Sequence, residues 1–317
     1  MREDAILKKE FYYPSSNGKN QIHAVIWKPE SPVKAIVQIS HGMVEYINRY
    51  EEFALFLNSK GILVVGNDHM GHGKSVNSEK EWGYFAEKNA SKLVVKDLYH
   101  LTCIIKKRYP DCPYFLLGHS MGSFLARRYL MTYANPKKNK LTGAILVGTG
   151  NQPKSSLCVG TAFVKTLKLF YKETYRSELL NHCIFGMYNR NIKDSKSAYD
   201  WISRNEENVR KYEQDKACTF IFTLNGFETL FSTLWFIEDK NNIKKIPKSL
   251  PIFLIAGEDD PVGNYGKDIK KIYHIYKKSE IHDIEYRLYK KDRHEILNEV
   301  DRADVYQDIL SWILKKI

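Results

Sequence analysis

A short apolar run that ends in a glycine-flanked serine constrains this chain more than any other segment. Residues 114–117 are Tyr-Phe-Leu-Leu, residues 118–122 are Gly-His-Ser-Met-Gly, and a helical pattern covers residues 124–133. This order predicts a buried strand, a sharp turn that carries Ser120, and a helix. A serine in such a turn has strained backbone angles, so Gly118 and Gly122 remove side chains that would collide with neighbouring strands. The turn leaves the Ser120 hydroxyl at a helix N-terminus, where backbone N–H groups favour negative charge.

A five-residue pattern has an ordinary alternative, in which the serine only caps the helix that follows. The strand on one side and the helix on the other argue against that alternative. A candidate base and a candidate acid further along the chain argue against it again. We therefore interpret Ser120 as a candidate nucleophile.

Strands and helices alternate over most of the chain. Apolar or β-branched runs predict strands over residues 21–28, 34–40, 62–66, 114–117, 143–147, 251–256 and 284–289. Helical spacing predicts helices over residues 49–59, 91–109, 124–133, 265–276 and 301–316, with Ser91 as the N-cap of the second. Several strands are continuous apolar runs, which is typical of parallel strands covered on both faces. The predicted class is α/β, with a mostly parallel central sheet and helices on both faces.

Residues 151–247 interrupt the alternation, because no clear strand is predicted there. The segment lies between two strands, so we expect a helical cap inserted into a core of residues 1–150 and 248–317. It would cover the carboxyl edge of the sheet, where open α/β sheets bind ligands. Most of its aromatic side chains are expected to pack within the cap and a minority to line an apolar pocket. They are Phe163, Phe170, Tyr171, Tyr175, Phe185, Tyr188, Trp201, Phe220, Phe222, Phe227, Phe231, Trp235 and Phe236.

Serine needs an adjacent base to act as a nucleophile at neutral pH. Downstream of Ser120 the histidines are His182, His274, His282 and His294. His294 lies in a polar loop between the last predicted strand and the last helix, and such a loop can reach back over the serine. His274 falls inside a predicted helix and His282 precedes a strand. The sequence therefore favours His294 as the base.

The acid that orients the base should follow a strand at the same sheet edge. The run 252–256 ends in Gly257-Glu258-Asp259-Asp260-Pro261, where three carboxylates compete. The distance from the glycine turn favours Asp260, with Asp259 as the alternative. Backbone N–H groups must stabilise the oxyanion; those of Met121, after the serine, and of Met43, in the loop after the 34–40 strand, are the candidates. His41 is expected to shape that loop.

The charge balance of the chain does not indicate a nucleic-acid partner. The net charge is +12, but the lysines are spread along the chain, as at residues 137–140, and no nucleic-acid-binding motif accompanies them. The charged first ten residues lack the apolar centre of a signal peptide, so we expect a cytoplasmic protein with reduced cysteines. His69 and His72 have the wrong spacing for a zinc pair on a helix, and we expect neither a metal nor a cofactor.

Five segments together resemble the monoacylglycerol lipase and lysophospholipase family of α/β-hydrolases, which is grouped with the S33 serine aminopeptidases. They are residues 41–46 with Arg49 and Tyr50, residues 68–75, residues 118–122, residues 257–262, and His294-Glu295. The resemblance implies an α/β-hydrolase fold with Ser120, Asp260 and His294 as the triad and Met43 and Met121 as oxyanion donors. Val44 and Tyr46 stand where relatives often have Gly and His, and Ser123 stands where a third glycine is frequent.

The resemblance leaves three functions open. The first is a serine hydrolase that cleaves a monoacylglycerol, lysophospholipid or similar single-chain ester through an acyl-enzyme, with a small-molecule ester as partner. Transient contact of the cap with a lipid surface is compatible with it. The second is an aminopeptidase, which would need cap carboxylates such as Glu206, Glu207 or Glu228 to hold an amino terminus. The third is a binding protein that keeps the fold without catalysis.

Overall fold

The central sheet of the protein has eight strands, seen here in a computed structural model that describes residues 7–134 and 139–317. The charged residues 1–6 and part of the lysine cluster at 137–140 lie outside the described residues. The strands are β1 (Lys8–Pro14), β2 (Gln21–Trp27), β3 (Ala35–Ser40), β4 (Ile62–Asn67), β5 (Tyr114–His119), β6 (Gly143–Val147), β7 (Ile252–Gly257) and β8 (Ile284–Tyr289). Their order is β1-β2-β4-β3-β5-β6-β7-β8. Strands β4 to β8 and β3 run parallel, and β1 and β2 pair antiparallel at one edge.

Helices cover both faces of this sheet, so the predicted α/β class is confirmed. The helices of the α/β alternation are α1 (Glu51–Asn58), α2 (Ala90–Arg108), α3 (Met121–Thr132), α9 (Lys267–Lys278) and α10 (Arg302–Leu314). Alternate residues of each buried strand enter different cores. Leu116 and Leu254 pack in the core that holds α2, α3 and α9, whereas Leu117 and Ile255 pack against α1 and α10. The parallel strands are therefore buried between two apolar layers.

Residues 151–247 form helices and contribute no strand to the sheet. The helices are α4 (Lys154–Leu167), α5 (Glu178–Phe185), α6 (Glu206–Gln214), α7 (Leu224–Ile237) and α8 (Lys240–Ile243). The apolar side chains of α7 share one core with those of α2 and α3. None of the described helices is both long and apolar enough to cross a membrane.

Several predicted boundaries differ from the structure. Ser91 is not an N-cap, because α2 begins one residue earlier after Asn89, and the Ser91 hydroxyl bonds to Ser232 Oγ at 3.0 Å instead. The predicted 49–59 helix is divided into a 3₁₀ turn, Ile47–Tyr50, and α1. Helix α3 begins three residues before the predicted start, directly after Ser120.

Candidate active site

The turn at Ser120 joins β5 to α3 with backbone angles of φ 52° and ψ −123°. L-residues rarely adopt a positive φ, and here the surroundings enforce it. A Cβ atom on Gly122 would collide with the backbone carbonyl of Ser40, and one on Gly118 with the carbonyl of Gly122. Both glycines are therefore required for the close approach of α3 to the sheet. The Ser120 side chain is partly exposed and lines a large cavity.

The structure brings His294 and Asp260 together at the same sheet edge. The Nδ1 atom of His294 lies 3.0 Å from Oδ1 of Asp260, and both side chains are buried. The backbone N–H of Val262 donates to the same Oδ1 at 2.9 Å. Asp259, the alternative acid, is exposed to solvent. Of the two candidate acids, Asp260 is therefore the one that contacts His294.

His294 and Ser120 line the same cavity, whereas His274 and His282 do not. A signal that sequence reasoning missed is Gly148, which follows β6. A Cβ atom there would lie 3.1 Å from Cε1 of His294, so glycine leaves the space that the imidazole occupies. His182, on α5, also lines the cavity.

The two candidate oxyanion donors, Met43 and Met121, both line the cavity that Ser120 also lines. Met121 is the first residue of α3, where the helix N–H groups have no partners within the helix. Neither its N–H nor that of Met43 donates a hydrogen bond to another of the described residues. Val44 follows Met43 with a φ of 54°, so the loop keeps a glycine-like conformation although a β-branched residue stands there.

A buried ionic cluster, which we call the Arg49 cluster, lies behind the serine and comprises Glu45, Arg49, Tyr50, His119 and Glu295. Arg49 donates to both carboxylate oxygens of Glu295 at 2.7 Å and to Oε2 of Glu45 at 2.8 Å. Burial opposes ionisation of Glu295, but the charge and hydrogen bonds of Arg49 lower its pKa to about 2. The motifs at 41–50, 118–122 and 294–295 contain these residues, yet sequence reasoning gave them no role.

Three buried histidines support the loop that carries Met43. The Nε2 atom of His41 accepts from the backbone N–H of His69 at 2.9 Å, and its Nδ1 donates to the Gly42 carbonyl at 2.8 Å. His41 therefore shapes this loop, as predicted. Burial lowers the pKa of His69 to about 3 and that of His72 to about 4, so both rings are neutral at pH 7.

One group of three possible metal ligands occurs among the described residues, and it lies away from these histidines. It consists of Asp292, Glu299 and Asp301. The guanidinium of Arg204 pairs with Asp292 and lies 3.0 Å from Asp301. The Arg204 guanidinium therefore occupies the space between these carboxylates and offsets part of their negative charge.

The cavity in front of Ser120 has a volume of about 1300 Å³. Six of the aromatic residues singled out in 151–247 line it: Phe163, Phe185, Tyr188, Trp201, Phe220 and Phe231. Phe222 and Phe227 pack inward with no exposed surface. A minority of these aromatics thus faces the cavity, as predicted, and the walls combine this apolar surface with the catalytic candidates at one end.

Comparisons with known proteins agree with this geometry. A family model described as serine aminopeptidase, S33, matches residues 31–301. A monoglyceride lipase homolog of monkeypox virus is 29% identical over 304 residues, covering 93% of this chain and 95% of the viral protein. The monoglyceride lipase of Mus musculus is 26% identical over 298 residues, covering 92% and 86%. A thermostable carboxyl esterase from Bacillus coagulans, solved with glycerol, superposes with a TM-score of 0.90 at 30% identity over 98% of this chain and 99% of that one.

The fold and the site together define an α/β-hydrolase, and the chain is a hydrolytic enzyme. Since the family model covers most of its length, the chain belongs to the S33 serine aminopeptidase family.

Proposed function

We propose that this enzyme cleaves carboxylic esters that carry one acyl chain, such as a monoacylglycerol or a lysophospholipid, through an acyl-enzyme. Ser120 is the nucleophile, His294 the general base and Asp260 the residue that orients it. The observation that carries the proposal is the buried Asp260–His294 pair, 3.0 Å apart, at a cavity that Ser120 also lines. Monoglyceride lipases among the relatives support the substrate class.

The reaction proceeds in two halves. The Ser120 oxygen bonds to the ester carbonyl carbon while His294 Nε2 takes the serine proton, and the N–H groups of Met43 and Met121 stabilise the oxyanion. Collapse breaks the ester bond, and His294 gives its proton to the leaving alcohol. Water then attacks the acyl-serine with His294 again as base, which releases the fatty acid and restores Ser120.

The cavity suits a long acyl chain. Its volume of about 1300 Å³ is larger than the roughly 300–1,000 Å³ of typical small-molecule pockets. Each buried CH₂ group contributes about 0.8 kcal/mol to binding, so the aromatic walls favour longer chains. We assign these walls to a cap formed by residues 151–247, over a core of residues 1–150 and 248–317.

Exposed apolar side chains on the cap support transient contact with a lipid surface. Leu169 and Phe170, after α4, are 79% and 76% exposed. Val159, Leu179 and Met187 are also exposed on the same part of the chain. Exposed apolar side chains grouped in one segment are typical of an interaction site where they form one surface, and the substrate class points to lipid.

An aminopeptidase is the second candidate, and the family description supports it. It needs a carboxylate that faces the substrate amino group. Glu206 and Glu207 instead pair with lysines in exposed positions, and Glu228 pairs with Lys168. None of the three lines the cavity, so the candidates that the sequence offered for holding an amino terminus are not placed to do so.

The test is a p-nitrophenyl ester series from acetate to palmitate, beside a monoacylglycerol, a lysophospholipid and an aminoacyl amide. We expect turnover of the long-chain and glycerol esters and little of the amide. Ser120→Ala should lower kcat by about 10⁴–10⁶-fold while the circular dichroism spectrum stays unchanged. Preferred hydrolysis of the amide would favour the aminopeptidase. Unchanged ester turnover in Ser120→Ala would remove this serine from the mechanism, and binding without turnover in the parent enzyme would indicate a non-catalytic protein.

A further inference from the structure

His119, the residue before Ser120, faces a hydrogen-bond acceptor at each ring nitrogen. Its Nδ1 lies 3.1 Å from Oε1 of Glu45, and its Nε2 lies 3.4 Å from the backbone carbonyl oxygen of His294. A carboxylate oxygen and a carbonyl oxygen can only accept. The Tyr50 hydroxyl is 3.0 Å from Nδ1, but it donates its hydrogen to Glu45 at 2.7 Å. An imidazole with acceptors at both nitrogens carries a proton on each.

The charges of the Arg49 cluster lead to the same protonation state. Glu45 and Glu295 are two buried carboxylates, and Arg49 bonds to both. One guanidinium balances only one of them, and a buried charge without compensation is strongly destabilising. A proton on His119 supplies the second positive charge and makes the cluster neutral.

We propose that His119 is held as an imidazolium in the resting enzyme and that it is a positioning residue for the reaction. It connects Glu45, on the loop that carries Met43, to the backbone of His294. It also sets the charge of the cluster that lies beside the base. This inference rests on the proposed roles of Ser120 and His294.

The electrostatic surroundings of His119 support this state. Burial alone would lower its pKa, but the hydrogen bond to Glu45 and the charge of that carboxylate outweigh burial and raise the pKa above the ordinary value. His41 faces it from the end of β3, and burial together with its histidine neighbours holds the pKa of His41 well below the ordinary value. That ring is therefore neutral.

The charge of the cluster has a consequence for the base. The rings of His119 and His294 lie 4.8 Å apart, centroid to centroid. His294 must be neutral to take the proton of Ser120, with Asp260 on its other side. A cluster of charge −1 therefore favours protonation of the base, and a cluster of charge +1 opposes it. The acidic limb of the pH–rate profile should therefore move to higher pH when the cluster carries a charge of −1. It should move to lower pH when the cluster carries a charge of +1.

The first test measures protonation directly, by NMR of the protein labelled with ¹⁵N-histidine. We expect one of the ten histidines to show two protonated ring nitrogens at pH 8, and this signal to vanish in His119→Asn. The asparagine Nδ2 can replace the Nδ1 donor to Glu45; His119→Gln serves for the assignment if the first variant does not fold. A His119 that titrates near pH 6.5 or stays neutral would overturn the proposal. Because no turnover is involved, this result is independent of the proposed function.

The second test compares pH profiles of kcat/KM for a soluble ester. We expect the acidic limb to move about 1 to 2 pH units upward in His119→Asn and downward in Glu295→Gln, and to return in the double variant. Arg49→Lys is the matched control, since it keeps the charge but loses the bidentate hydrogen bond to Glu295. Its kcat should fall, while the acidic limb of its pH profile should stay at the same pH. A lower kcat with unmoved limbs in both single variants, or limbs that move the same way, would show that the cluster is only structural.

Discussion

Asp260→Asn tests the orientation of the base most directly. The Oδ1 atom of Asp260 accepts from His294 Nδ1 at 3.0 Å and from the Val262 N–H at 2.9 Å, while Oδ2 is buried with no hydrogen-bond partner among the described residues. An asparagine can keep its oxygen toward the two donors, His294 Nδ1 and the Val262 N–H. Its NH₂ group then occupies the buried position of Oδ2, where it has no hydrogen-bond partner among the described residues. Alternatively it can turn its NH₂ group toward His294, which imposes the wrong tautomer. In either arrangement the enzyme stabilises the transition state less than it does with aspartate at this position.

The two arrangements set the expected magnitude. With the oxygen retained, the imidazolium loses a negative charge about 4 Å away, which is worth about 4 kcal/mol at an effective dielectric constant of about 20. With the amide reversed, the wrong tautomer lowers kcat by about 10⁴. We therefore expect kcat to fall by about 10³–10⁴, or about 4–5 kcal/mol of barrier.

The assay is hydrolysis of p-nitrophenyl butyrate under saturating substrate, with thermal unfolding as the check on folding. Asp259→Asn is the matched control, because that neighbouring carboxylate is exposed and should leave kcat unchanged. If Asp260→Asn kept more than about a tenth of the activity, the argument from tautomer and charge would be refuted. Equal losses in the two variants would attribute the effect to the loop instead of to one carboxylate.

Three further changes have defined outcomes. Gly122→Ala places a methyl group against the Ser40 carbonyl, so thermal unfolding should show a loss of about 2 kcal/mol or more and turnover should fall with it. Phe163→Ala removes apolar wall from the cavity; kcat/KM for a dodecanoyl ester should fall about 10-fold or more, while that for butanoate stays within about twofold. Because Arg49 lowers the pKa of Glu295 to about 2, the ionised Glu295 stabilises the fold fully above about pH 4.5, and this contribution is lost as the pH falls toward 2. The melting temperature of Glu295→Gln should therefore decline less steeply over that range than the melting temperature of the unsubstituted protein.

Much of the site could be predicted because its residues stand at the ends of strong local patterns. The strands β6 and β8 have the predicted bounds, and β5 ends at the predicted turn. In parallel strands the carboxyl ends meet at one edge, so residues that follow different strands converge without any local signal between them. This is how Asp260 and His294 could be paired from sequence, although the choice between Asp259 and Asp260 needed the structure.

Features without a local pattern were not predicted. Strand β1 was missed because it lies at the sheet edge with most of its side chains at least partly exposed, which leaves no continuous apolar run. The Arg49 cluster was missed because charged residues are usually solvated, and because Arg49 and Glu295 are 246 positions apart in sequence. Only the fold shows that these charges are buried together behind the serine.

Residues 151–247, the proposed cap, contact the loop of His294 and the solvent through different parts of their sequence. The backbone N–H of Glu295 donates to the Ile202 carbonyl at 2.6 Å, and the Asn208 side chain donates to the Glu295 carboxylate at 2.8 Å. The exposed apolar side chains occupy residues 159–187 instead. Polar substitutions at Leu169 or Phe170 should therefore weaken the proposed contact with lipid and leave His294 in place. The proposed lipid contact and the positioning of His294 can thus be changed separately, since the exposed apolar side chains lie outside residues 201–208, which bond to His294 and Glu295.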